Sequence, residues 1–166
     1  NDKIKDREMK KRYLCIVHGR PKPPEGLIEN YLRRDEKRKQ VTLHRTRVPG
    51  AKTARTRYRT LTSHGRLSLV ECELLTGRTH QIRAHMASIG CPLAGDWLYG
   101  REDPDLIPRP ALHAYALELD HPVTGKHLYL TAPIPPDMAR LVPGLLAETA
   151  CAGEKIDHKI GGGSLC

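Results

Sequence analysis

The chain has 166 residues, with 28 Lys and Arg against 19 Asp and Glu, and a formal charge of +9. That length suits one domain with a real core. The basic excess favours an acidic partner, nucleic acid being the commonest, over the plainer alternative of a merely basic protein. No apolar run approaches membrane-spanning length, and the charged start shows no signal-peptide pattern. Cys15, Cys72, Cys91, Cys151 and Cys166 are scattered, odd in number and without a C-x-x-C pair. They argue against a disulfide framework or a structural zinc site, and a reducing, cytoplasmic setting is expected.

Residues 1–10 read as a polar lead-in. Residues 11–18 form a buried strand with Tyr13, Cys15 and Val17 on one face. Cys15 and Cys72 lie in apolar runs and read as small core residues. Residues 20–26, with three prolines and a glycine, predict a loop. The charged run 33–39 predicts a solvated connection between short strands. Residues 53–62 alternate: Ala54, Thr56, Tyr58 and Thr60 share one face, and Arg55, Arg57, Arg59 and Leu61 the other. His64-Gly65 supplies a hairpin turn to a strand over 66–75.

A helix is expected from Thr79 to Ile89, with Thr79 as N-cap and Gly90 just past its end. Ile82, Met86 and Ile89 make its core stripe, and His80 and Arg83 lie off it. Loops follow to about Pro110. Two strands over 111–119 and 127–132 flank a turn at 121–126. A terminal helix is expected over 136–148, then a Gly-rich disordered tail over 149–166. Runs of strands with few helices indicate an α+β fold, a largely antiparallel mixed sheet flanked by a few helices.

The densest chemistry lies in Leu75-Thr76-Gly77-Arg78-Thr79-His80-Gln81-Ile82-Arg83. A helix start offers unpaired N–H groups and partial positive charge, which suit an anion. Arg78 adds a permanently charged fork for a carboxylate or phosphate, its rival role being a structural ion pair. His80 can cap, touch phosphate or pack. Arg83 is either a surface residue or an RNA contact. The Arg55, Arg57, Arg59 stripe either tracks a phosphate backbone or keeps a strand edge soluble. Tyr13 reads first as core, while its ring and hydroxyl offer base stacking or proton transfer. Metal readings fail on spacing: His80 and His85 are five apart with no glutamate between them. No G-x-S-x-G elbow or phosphate loop occurs. Asp96, in Gly95-Asp96-Trp97, reads as a structural turn residue.

Four ordered segments carry a resemblance. They are Lys11-Arg12-Tyr13-Leu14-Cys15-Ile16-Val17-His18-Gly19, Thr76 to Arg83, Gly90-Cys91-Pro92-Leu93-Ala94-Gly95-Asp96-Trp97-Leu98-Tyr99-Gly100, and Leu112-His113-Ala114 with His121-Pro122-Val123-Thr124-Gly125 and Ala132-Pro133. Over about residues 10–138 the chain resembles the RluA branch of the pseudouridine synthases. The resemblance implies an RNA uridine isomerase of ribosomal or transfer RNA. Such an enzyme cuts the N-glycosidic bond, turns the uracil and rejoins it through carbon, with no cofactor or metal and no membrane. The target base must leave its stack. By the resemblance, Tyr13 matches the active-site tyrosine that packs against the base. Arg78 matches the arginine that pairs with the catalytic aspartate. Lys11, Arg55, Arg57, His80 and Arg83 are the expected RNA contacts.

One departure stands out. The family's nucleophilic aspartate lies in a His-Arg-Leu-Asp segment before the Lys-x-Tyr strand, and these residues contain none. Asp35, Asp96 and Asp120 lack its context. The expectation is therefore the C-terminal part of the catalytic domain, over 11–148, inactive alone. A preceding segment or a second chain would supply the acid. A non-catalytic RNA-binding module is the alternative.

Overall fold

The computed structural model describes residues 9–143. The lead-in before Met9, the end of the expected terminal helix and the expected tail lie outside the described residues. In chain order the elements are β1 (Met9–His18), β2 (Glu25–Asp35), β3 (Gln40–His44), β4 (Lys52–His64), β5 (Leu67–Leu74), α1 (Gln81–Ser88), β6 (Leu112–Asp120), β7 (His127–Thr131) and α2 (Pro136–Ala139). The strands form one sheet in the order β3-β2-β4-β5-β1-β6-β7, and every neighbouring pair is antiparallel. The α+β expectation holds.

The middle of β1 explains why the sheet carries a core on each face. Leu14, Cys15, Ile16 and Val17 are all buried, so the strand is covered on both faces. Leu14 and Ile16 meet Leu69 of β5, Met138 of α2 and the loop residues Ala94, Ile107 and Ala111. Cys15 and Val17 meet Tyr58, Val70 and Cys72, and α1 adds Ile82 and Met86 to that second core. Tyr13 lies at its edge, on the face expected for it. Cys15 and Cys72 are buried free thiols with sulfurs 3.9 Å apart, consistent with their reading as core.

The long connection from α1 to β6 is tied to β1 by its backbone. The His18 N–H donates to the Pro92 carbonyl at 2.9 Å, and Ala94 N–H to the Ile16 carbonyl at 2.8 Å. Gly95 is required in this packing. Its φ is +78°, and a Cβ there would sit 2.1 Å from the Arg109 carbonyl oxygen.

Several boundaries differ from expectation. Loop 20–26 ends early, because Glu25 already pairs with Arg59. The charged run 33–39 is not one open connection. Arg33, Arg34 and Asp35 lie in β2, paired with Thr42, Val41 and Gln40 of β3, and only a tight turn remains between the strands. The terminal helix starts at Pro136 as expected but runs only to Ala139 within the described residues. Leu112–Asp120 and His127–Thr131 form the expected hairpin.

Candidate functional site

The loop from Leu75 to His80 is shaped by a buried carboxamide. Gln81 is 2% exposed and uses its full hydrogen-bonding capacity. Its Oε1 accepts the Thr76 hydroxyl at 2.8 Å and the Arg78 backbone N–H at 3.0 Å. Its Nε2 donates to the Arg55 carbonyl and to Thr56 Oγ1, each at 2.8 Å. Thr76 Oγ1 also accepts the Arg55 N–H at 2.8 Å. The loop is thereby stitched to β4.

Here the expected cap is corrected. Thr79 does not cap the helix; His80 occupies the N-cap position, at φ 54° and ψ 21°, without a side-chain cap bond. Gln81 satisfies the loop from inside the first turn, so a hydroxyl at Thr79 is not needed. The far end follows expectation. Gly90 has φ +82°, its N–H donates to Ala87, and Cys91 N–H reaches the Met86 carbonyl at 3.0 Å.

His85 continues the polar chain through the core. It is fully buried, with Nδ1 2.7 Å from Thr56 Oγ1 and Nε2 2.9 Å from Asn30 Oδ1. Asn30 Oδ1 can only accept, so Nε2 carries the proton and Thr56 donates to Nδ1. Burial pushes the His85 pKa down to about 4, which keeps the ring neutral.

Arg83 is held rather than free. It makes two hydrogen bonds to Asp96, at 2.9 and 2.8 Å, and its guanidinium lies 5.2 Å from the Tyr99 ring centre. Burial opposes ionisation of Asp96. The hydrogen bonds from Arg83 and the Tyr99 N–H, with the Arg83 charge, outweigh it and hold the carboxyl below its usual range. Asp96 also accepts the Leu98 N–H, as its reading as a structural turn residue requires. His80 Nδ1 lies 2.8 Å from the Tyr99 hydroxyl, which accepts the Val41 N–H of β3 at 2.9 Å. Desolvation, then the nearby Arg83 charge, push the His80 pKa down.

Arg78 differs from Arg83. Its Nε–H donates to the Thr53 carbonyl at 2.9 Å, and among the described residues it meets no carboxylate. Lys11 and Tyr13 stand on the same sheet face as α1, opposite Leu74 and Cys72. A β-bulge falls beside Tyr13, where β6 inserts Tyr115 between the partners of Arg12 and Tyr13. Lys11 and Tyr13 line a cavity of about 280 Å³ at this bulge, with Ala114 and Thr131. No hydrogen bond or ion pair joins Arg78 to Tyr13 among the described residues. Their strands, β4 for the Arg78 anchor and β1 for Tyr13, are separated by β5.

The arginine stripe lies on the opposite face and is matched by acids. Arg55 Nε is 2.6 Å from Glu29, Arg57 is 3.1 Å from Glu73, and Arg59 is 3.4 Å from Glu71. A signal for two of these pairs is present in the chain. Arg57 and Glu73 are equidistant from Gly65, as are Arg59 and Glu71, so a hairpin there sets them side by side. The bonds of Gln81 to β4 and of His85 to β4 and β2 had no such signal, since those strands are distant in sequence.

The family described as RNA pseudouridylate synthase matches residues 1–88. The chain belongs to this family. A ribosomal large subunit pseudouridine synthase D of Nitrosomonas europaea is 42% identical over 153 residues, covering 86% of this chain and 42% of that protein. YhcT of Bacillus subtilis, described as an uncharacterized RNA pseudouridine synthase, is 41% identical over 143 residues, covering 85% of this chain and 46% of that protein. The chain thus spans less than half the length of these two relatives. Among solved structures, human RNA Pseudouridylate Synthase Domain Containing 1 is similar with a TM-score of 0.66 and 25% identity, covering 82% of this chain and 58% of that one. The pseudouridylate synthase sheet is therefore the frame on which Lys11, Tyr13 and the Arg78 loop are mounted.

Proposed function

We propose that this chain is the C-terminal part of an RNA pseudouridine synthase catalytic domain, isomerising uridine in ribosomal or transfer RNA. Tyr13 packs against the extruded base. Arg78 serves as counterion to the nucleophilic carboxylate, and Lys11 draws the RNA strand to the same face. His80 and Arg83 act as positioning residues, through Tyr99 and Asp96. The observation that best supports this reading is Arg78 itself. Its backbone N–H is held by the Gln81 carboxamide and its Nε–H by the Thr53 carbonyl, yet it meets no acid among the described residues. A guanidinium so placed is ready for a carboxylate or phosphate brought to it.

The acid belongs to a His-Arg-Leu-Asp segment that these residues do not contain. The isomerase reading refers to the domain once that carboxylate is joined to it. The test is to incubate unmodified ribosomal or transfer RNA with the chain alone and with the chain fused to such a segment from a relative. Pseudouridine is read as carbodiimide-dependent stops in reverse transcription. Product with the fusion and none with the chain alone is expected. Robust product from the chain alone overturns the assignment of the missing carboxylate, and none from either overturns the activity.

A further inference from the structure

The positive charge of this chain is unevenly placed. No Asp or Glu occurs between Glu36 and Glu71. Within that stretch the arginines of β4 are each met by a carboxylate from a neighbouring strand. Arg45, Arg47 and Lys52 are exposed and, among the described residues, form no ion pair.

The topology brings these cations together. β3 ends at His44, opposite Tyr31, and β4 begins at Lys52, opposite Leu32. Both strands are antiparallel to β2, so they run parallel to each other and residues 45–51 must cross β2 to join them. That short crossover keeps Arg45 and Arg47 at the end of the sheet where Lys52 starts β4. Arg78 reaches the same end, since its Nε–H bonds the carbonyl of Thr53 at 2.9 Å. The acids of the β2–β3 turn lie at the other end of β3 and are occupied. Asp35 is 3.9 Å from Arg38, and Glu36 is 3.5 Å from Arg34.

We propose that the phosphates of an RNA strand cross the sheet on Arg45, Arg47 and Lys52 and lead to Arg78, while the Arg55–Arg57–Arg59 stripe stays out of the contact. This rests on the RNA-enzyme reading above and places its docking surface. A cation with no protein partner exchanges only condensed counterions and water for a phosphate. A cation already facing a carboxylate must share its field with that acid, so it attracts phosphate less.

The test uses the 166-residue chain and a fluorescently labelled stem-loop RNA, with affinity read by anisotropy over a series of KCl concentrations. Arg45→Ala with Arg47→Ala removes two cations. It is expected to flatten the slope of log affinity against log salt by about 1.4 to 1.8. Arg57→Ala with Arg59→Ala is expected to leave that slope at the wild-type value. Equal effects of the two pairs, or the reverse order, overturn the inference. So does a wild-type chain without salt-dependent affinity for RNA. Binding is read without turnover. RNA held through the crossover by a completed enzyme that forms no pseudouridine upholds this surface and overturns the activity.

Discussion

The side-chain oxygen of Gln81 accepts the backbone N–H of Arg78 at 3.0 Å. This one bond couples the first turn of α1 to the loop that carries the half-buried Arg78. The other three bonds of the carboxamide run to Thr76 and into β4, so the position of the loop depends on a group with almost no contact with solvent.

Gln81→Ala is expected to destabilise the chain by about 2 to 4 kcal/mol, because Thr56, Thr76, the Arg55 carbonyl and the Arg78 N–H each lose one hydrogen bond at a site closed to solvent. Urea denaturation followed by circular dichroism measures this. A loss of under about 0.5 kcal/mol, the range of a neutral surface change, would show that the carboxamide does not hold the loop.

His85 gives a pH dependence. Its folded pKa is pushed below the ordinary 6.5 to about 4. The unfolded chain therefore binds a proton on this ring where the folded chain does not. The stability from the neutral ring is complete above pH 6.5 and falls as pH drops toward 4, by up to about 3 kcal/mol. His85→Gln removes the titrating group and is expected to flatten that part of the profile. Parallel profiles for the two proteins would contradict the buried neutral ring.

Arg83→Ala strands the fully buried Asp96 carboxylate. The expected cost is about 3 to 5 kcal/mol, and adding Asp96→Ala should recover part of it. A double-mutant cycle on unfolding free energies reads the coupling. Additive losses would show that the pair contributes nothing as a pair.

Gly95→Ala puts a methyl group against the Arg109 carbonyl, at a backbone conformation that L side chains rarely adopt. A loss above about 3 kcal/mol is expected, read by thermal or urea unfolding. Native-like stability would mean that this turn does not pack as closely as described.

The legible parts of this chain are those whose pattern is local. The run Leu14 to Val17 is apolar throughout and sits on an interior strand, buried on both faces. The alternation of β4, the Ile82–Met86 stripe and Gly90 each gave the correct element because neighbours in sequence decide them. β2 was not legible as a long strand. It carries Glu25, Glu29, Arg33 and Asp35, whose charges become compatible with a sheet only when Arg55, Arg59 and β3 lie beside them. The Thr79 cap was a fair local reading overridden by a tertiary one, since Gln81 reaches strands far away in sequence. The site was legible as a motif and less so as an arrangement. Arg83 reads in sequence as a surface residue or an RNA contact, because its partner Asp96 lies in a separate loop.

The most direct measurement of the central claim is pseudouridine formation by this chain fused to a relative's His-Arg-Leu-Asp segment, compared with the same fusion carrying Arg78→Ala. Product is expected from the first, with a loss of about a hundredfold or more in the second, because a carboxylate in the closed site would lack its counterion. Equal turnover by the two proteins would contradict that claim.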